Sequence, residues 1–313
     1  MKKFNLLLCL PLFIATCAFC EEAASKSSAR SAAASPAAPI TRSLRLYAAH
    51  HSYFVQVPPI MTEIAKAAGF AEQAWVGTKY IGGSKSLQHW NLKDEDNKAK
   101  DALKSGTTDA LILTPVYLPD EGIEKFAALG LEKNPDIRVT VQEFWLPYDE
   151  YQPHYYDPPK IPKPEKVDHN AQTGATLREM HTRYFREMDA LIGDINRKLG
   201  KPVVVAVPAG QAVIALRERI IAGQAPGLKT QDDLFTDPLG HPKPALQVLI
   251  AYTHFAVIYR KNPVGLPVPS ALAALKLPAD EATALNRLLQ ELAWEAATHH
   301  ALSGVFQMPP ASK

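Results

Sequence analysis

The sequence predicts an α/β protein, a three-layer α/β/α sandwich built on a central parallel sheet. Two observations carry this. Short β-rich runs alternate along the chain with longer segments of helical period. The runs "DALILT" (109–114) and "PVVVAVP" (202–208) are apolar almost throughout, the pattern of strands buried on both faces, and crossover helices are what cover a parallel sheet on both sides.

The elements follow in order. "SLRLYAA" (43–49) reads as the first strand, and "PPIMTEIAKAAG" (58–69) as a helix with proline near its start and glycine at its end. The helical "NKAKDALKSG" (97–106) precedes the strand at 109–114, and the helical "EGIEKFAALGLEKN" (121–134) precedes the strand "IRVTVQEFW" (137–145). A long amphipathic helix over about Thr176 to Leu199 leads into the strand at 202–208, and "GQAVIALRERIIAG" (210–223) follows it. A long apolar helix after Pro242 and the amphipathic "ADEATALNRLLQELAWEAATHH" (279–300), expected to pack on the body of the domain, complete the pattern. Ligands in such sheets bind at the carboxyl ends of the strands. Attention therefore falls on His50 to Tyr53, Gly82 to Ser84, Thr114 to Tyr117, Gln142 to Trp145 and Pro208 to Gln211. The stretch 146–170, rich in Pro, Tyr and charge, is long for an idle connection and reads as an insertion beside the site or as a solvent-exposed spacer.

Residues 1–20 read as an export signal: Lys2 and Lys3 precede a mostly apolar run from Phe4 to Phe19, too short to span a bilayer comfortably. Export, periplasmic or extracellular, is the expectation, with lipid attachment at Cys17 in "IATC" as the alternative. Residues 21–41 are Ala/Ser/Pro-rich and lack the apolar surface to fold, so they read as a flexible linker. Residues 42–313 then form a single domain, about 270 residues being enough for one substantial core.

Cys9, Cys17 and Cys20 all lie in the leader, which leaves the rest without a thiol nucleophile, a disulfide framework or a cysteine metal cluster. Thirty-four basic residues less the two in the leader leave 32 against 32 acidic. That balance gives no electrostatic case for nucleic acid or an anionic membrane surface. No dinucleotide or phosphate-binding glycine fingerprint occurs, and no zinc or calcium ligand run, so no cofactor and no metal are expected. His50 and His51 are adjacent on a strand and point to opposite faces, and His299-His300 sits where imidazoles cap a helix end.

The chemistry rests on two places. A serine hydroxyl needs a histidine to take its proton, and that histidine works best when a carboxylate orients it. Ser52 lies just past the first strand, where α/β hydrolytic folds present nucleophiles, although a lone serine there also serves as an ordinary turn residue. In "FTDPLGHPKPALQVLIAYTHFAVIY" (235–259), Asp237 and His241 share a short Pro/Gly turn before the apolar helix; a helix cap beside a surface imidazole would look the same.

Taken together, Ser52 after the first strand, the glycines of "YIGGS" (80–84) after the second, a polar residue after the third and the Asp/His loop before a late helix resemble the SGNH, or GDSL-like, serine hydrolases. The resemblance runs from about Ser43 to Pro267, and "GHPKPALQVLIAYTHFAVIYRKNPVGLP" is its most characteristic stretch. It implies a flavodoxin-like sandwich, Ser52 as nucleophile, His241 as general base and then acid, and Asp237 as its orienter. Gly83 would supply an oxyanion N–H together with Ser52, and Thr114 is the nearest polar substitute for the asparagine usual after the third strand. Trp145 and His89 are the residues expected to contact substrate. Three departures stand out: "His50-His51-Ser52" lacks the glycine before the serine, "LTPVY" has no asparagine, and "D-P-L-G-H" is one residue longer than the usual spacing.

Two functions therefore compete. One is an exported serine esterase acting on a small-molecule or carbohydrate ester, with no stable membrane span. The other is a catalytically silent relative that binds a cell-envelope or polysaccharide ligand. A metal-dependent hydrolase using His50 or His51 is a weaker third. The separation of Ser52 from His241 discriminates the first two.

Overall fold

In the computed structural model, five strands form one parallel sheet in the order β2-β1-β3-β4-β5. They are β1 (Arg45–His50), β2 (Ala74–Tyr80), β3 (Ala110–Leu113), β4 (Arg138–Gln142) and β5 (Val204–Val207). The structure describes residues 38–116, 118–151 and 167–305. The leader, residues 21–37 of the linker and residues 152–166 of the insertion lie outside the described residues, as does Tyr117. The described residues fall within one unit, Pro36–Lys313.

Helices α1 (Val57–Ala67), α2 (Ser86–Trp90), α3 (Lys98–Lys104), α4 (Gly122–Leu131), α5 (Gly174–Leu199), α6 (Ala209–Ile221), α7 (Pro244–Tyr259) and α8 (Ala279–His299) cross over between strands or close the domain. Residues of β3 and β5 are buried at every position, which is why their sequences are apolar without alternation. On one side of the sheet α7 packs against α1, α6 and α8; on the other, α3 and α4 pack together and α5 runs beside β5. Every residue of α7 from Val248 to Tyr259 is buried, as expected of a helix that is apolar all round. The final amphipathic helix packs on it. Among the described residues, no helix is long and apolar enough to cross a membrane.

β2 was legible only through the glycines after it. It is an edge strand, alternately exposed and half-buried, and a side chain at Gly77 would run into the Tyr47 ring. The topology decides where a ligand can sit. From β1 the chain turns first to β2 on one side and then to β3 on the other, and the crevice of an open α/β sheet opens at such a reversal, beyond the carboxyl ends of the strands. Ser52 follows the carboxyl end of β1.

Candidate active site

β1 ends at His50, whose carbonyl accepts the Ile81 N–H and so keeps the end of β2 in register beside it. His51, extended at φ −108° and ψ −171°, then caps a short 3-10 turn, Ser52–Phe54. Its N–H donates to Thr114 Oγ1 at 3.1 Å, and its Nδ1 accepts the Tyr53 N–H at 3.3 Å. None of His50, His51 and Ser52 takes a positive φ, so this turn makes no demand that only glycine could meet. The missing glycine is explained.

The partner loop is built around the lengthened Asp237–His241 spacing. Thr236 N–H donates to His241 O at 2.8 Å, Phe235 bridges to Pro242, and Gly240 N–H returns to Asp237 O at 3.0 Å. Asp237 Oδ1 accepts the N–H groups of Gly240 and His241 at 3.1 and 3.2 Å. The other oxygen, Oδ2, lies 2.6 Å from His241 Nδ1, and His241 Nε2 lies 2.8 Å from Ser52 Oγ. The extra residue is absorbed by Gly240 at φ +97°, a conformation that side chains resist. The three residues therefore form one hydrogen-bonded line. Ser52 and His241 stand within hydrogen-bonding distance.

Burial works against the Asp237 charge, but the His241 ring and the two backbone N–H groups outweigh it and hold its carboxyl below the usual carboxylate range. The neighbouring imidazoles are held neutral. Burial, reinforced by the nearby His50, His89 and His241, pushes His51 down to about 3, and burial lowers His50 as well. The ring bonds of His50 and His51 go to backbone groups, whereas His241 is bonded to the Ser52 hydroxyl.

Gly83 takes φ +55° in the turn after β2, and because His50 pairs with Tyr80 this turn lies beside the Ser52 turn. Among the described residues, neither Ser52 N–H nor Gly83 N–H has a protein acceptor. Val116 N–H holds Ser84 O at 3.3 Å, and Ser84 Oγ lies 2.8 Å from His89 Nε2. Thr114 is nearly fully buried, and its observed contact is the bracket on His51 N–H.

Two expectations are corrected. His89 is 2% exposed and pushed down to about 4, chiefly by burial and further by its neighbours His50 and Lys79, and its bond to Ser84 steadies the glycine turn from behind, so it has no open face for substrate. Trp145 is also 2% exposed; its indole stacks on Tyr53 with centroids 4.5 Å apart, and its Nε1–H donates to Gly240 O at 3.0 Å. It supports the histidine loop rather than lining a cleft. Tyr53 itself was missed. Its hydroxyl donates to Leu239 O and its ring meets His241 edge-on at 5.2 Å.

Behind the site, Asp149 takes a left-handed φ of +52° and is gripped through both oxygens by Arg217, with His169 Nδ1 at 2.9 Å. Elsewhere, Glu143, Asp189 and His300 bring three ligand-type atoms within 4.8 Å of one another. His300 Nε2 lies 3.0 Å from Glu143 and 3.3 Å from Asp189. Burial opposes a charge on this ring, but the two carboxylates outweigh it and push it up to about 10. Its Nδ1 faces Leu302 N–H at 3.1 Å. Nε2 thus faces two carboxylates, the geometry of an ion pair. His299 does cap the helix, through Glu295 O at 2.8 Å, whereas His300 turns inward.

No protein-family model matches the chain, and no curated protein does. Solved structures do. The structure of a DUF4886 family protein from Bacteroides uniformis is similar over 82% of this chain and 95% of its own, with a TM-score of 0.51 at 13% identity. That of a candidate GDSL-like lipase from Parabacteroides merdae is similar over 68% of this chain and 94% of its own, with a TM-score of 0.41 and 13% identity. The likeness is one of fold.

Proposed function

We propose that the protein is an exported serine hydrolase that cleaves carboxylic esters. The observation that carries this reading is the line Asp237 Oδ2 to His241 Nδ1, and His241 Nε2 to Ser52 Oγ, at 2.6 and 2.8 Å. Asp237 keeps the proton on Nδ1, which leaves the Nε2 lone pair toward the serine hydroxyl. His241 takes the Ser52 proton as Oγ attacks the ester carbonyl, then returns it to the departing alcohol; a water repeats the two steps on the acyl-enzyme.

The tetrahedral oxyanion is held by the N–H groups of Ser52 and Gly83, both left without a protein acceptor, and such donors are worth about 3–4 kcal/mol of barrier each. Ser52 is half-buried and the His241 and Asp237 side chains are 30% and 41% exposed, so an ester borne on a larger molecule can reach the line from solvent. An acyl or acetyl group on a carbohydrate suits the export signal read from residues 1–20. The test is labelling of the full chain with a fluorophosphonate probe, wild type beside Ser52→Ala. Labelling that depends on Ser52 supports the reading; its absence from folded wild-type protein overturns it.

A further inference from the structure

We propose that Tyr53 is a positioning residue for His241, acting through the backbone of the Asp237–His241 loop with Trp145 as the second anchor; this rests on the hydrolase reading above. Tyr53 follows Ser52 on the same 3-10 turn. Its hydroxyl donates to Leu239 O, and Trp145 Nε1–H donates to Gly240 O at 3.0 Å. Two consecutive carbonyls of the histidine loop are thus held by two aromatic donors, whose rings stack on each other 14° from parallel. Phe144 also stacks on Tyr53, with centroids 4.9 Å apart, so the phenol itself is fixed.

The loop needs such a clamp. It carries one residue more than the usual spacing, and Gly240 at φ +97° sits just before the histidine, where the backbone is most permissive. Fixing the carbonyls of Leu239 and Gly240 fixes the peptide planes that lead into His241, and with them the direction of its imidazole. Because Tyr53 belongs to the nucleophile turn, one side chain ties base and nucleophile into a common register. The space above Gly240 is filled to match: a Cβ there would lie 3.2 Å from the Tyr53 hydroxyl and 3.5 Å from Trp145 Nε1.

Tyr53→Phe keeps the ring stack and removes only the donor, leaving Leu239 O to water. Misplacing a catalytic group by an ångström costs up to about a hundredfold in rate. The expected result, with p-nitrophenyl acetate as substrate, is a kcat about ten- to a hundredfold lower at little-changed KM, with fluorophosphonate labelling slowed by the same factor. Trp145→Phe should act alike, and the double variant should lose little beyond either single one, since both hold one loop. In proton NMR, the low-field His241 Nδ1–H signal should weaken or vanish in Tyr53→Phe while Tm stays near wild type; a merely structural role would lower Tm and spare the split between kcat and KM.

Wild-type kcat, labelling rate and low-field signal in Tyr53→Phe overturn the positioning role and leave the hydrolase reading standing. If Ser52 of the wild type does not react, the hydrolase reading fails, and the low-field signal alone decides the clamp: unchanged in Tyr53→Phe it overturns it, lost it supports it. Should Tyr53→Phe not fold, Trp145→Phe, which spares the nucleophile turn, is judged by the same outcomes.

Discussion

His241 Nε2 stands 2.8 Å from Ser52 Oγ although 189 residues separate them. The sheet order makes this possible, since β1 ends beside the topological reversal and the loop before α7 arrives at the same end. Asp237 uses one oxygen to shape that loop and the other to hold the imidazole, which separates its two tasks by atom.

That separation gives a clean variant. Asp237→Asn can keep an oxygen toward the N–H groups of Gly240 and His241 while losing the charge at Nδ1. Steady-state kinetics should show kcat lower by roughly 10⁴ with KM little changed, and Tm close to wild type. His241→Ala should abolish turnover altogether.

Gly240→Ala meets both a left-handed backbone and a filled space, against Tyr53 and Trp145. Such backbone strain costs about 1–3 kcal/mol, and relief by shifting the loop displaces His241. Gly69→Ala is the control: φ is +95° there as well, but nothing lies within 4 Å of the added carbon. Both should lower the urea midpoint, and only Gly240→Ala should also lower kcat.

Asp149 and Arg217 are both nearly inaccessible, at 4% and 2% side-chain exposure. Burial opposes the Asp149 charge, but the bonds from Arg217 and His169 outweigh it and hold its carboxyl below the usual range. A depressed folded-state pKa stabilises the fold above the ordinary carboxylate pKa, and that contribution is lost as pH falls through the lower folded value. Asp149→Ala, which leaves Arg217 buried and unpaired, should cost about 3–5 kcal/mol in urea unfolding. Asp149→Asn should flatten the acid limb of stability.

His300 works in the opposite sense. A raised folded-state pKa gives a stabilisation fully present below the ordinary histidine value and lost as pH climbs toward about 10. The Leu302 N–H facing Nδ1 tempers it, because a charged ring has no lone pair there to accept that donor. Urea unfolding should show stability declining between about pH 6.5 and 10, and His300→Gln should remove most of that slope.

Much of the fold was legible. The unbroken apolar runs of β3 and β5 and the amphipathic length of α5 announce a parallel sheet between helices, because burial on one or two faces imposes its period on the residues. β2 carries no such signature, since an edge strand is half solvated and its Gly77 answers to the Tyr47 ring rather than to a pattern. Trp145, an aromatic near the end of a strand, is expected from the sequence to contact substrate. Its burial follows from a ring stack with Tyr53 and a carbonyl on a loop 95 residues away.

The sequence by itself determined the layers, the strand ends and the residue types able to do nucleophilic chemistry, because these depend on period and on local turn chemistry. Only the tertiary structure decided that Ser52, His241 and Asp237 meet, that the lengthened loop still reaches, that Tyr53 and Trp145 clamp it, and that His89 and His300 turn inward. The contacts from Ser52, Tyr53, Trp145 and His300 join residues far apart in the chain, and they depend on sheet order, register and individual backbone carbonyls. None of these leaves a mark in the spacing of side chains.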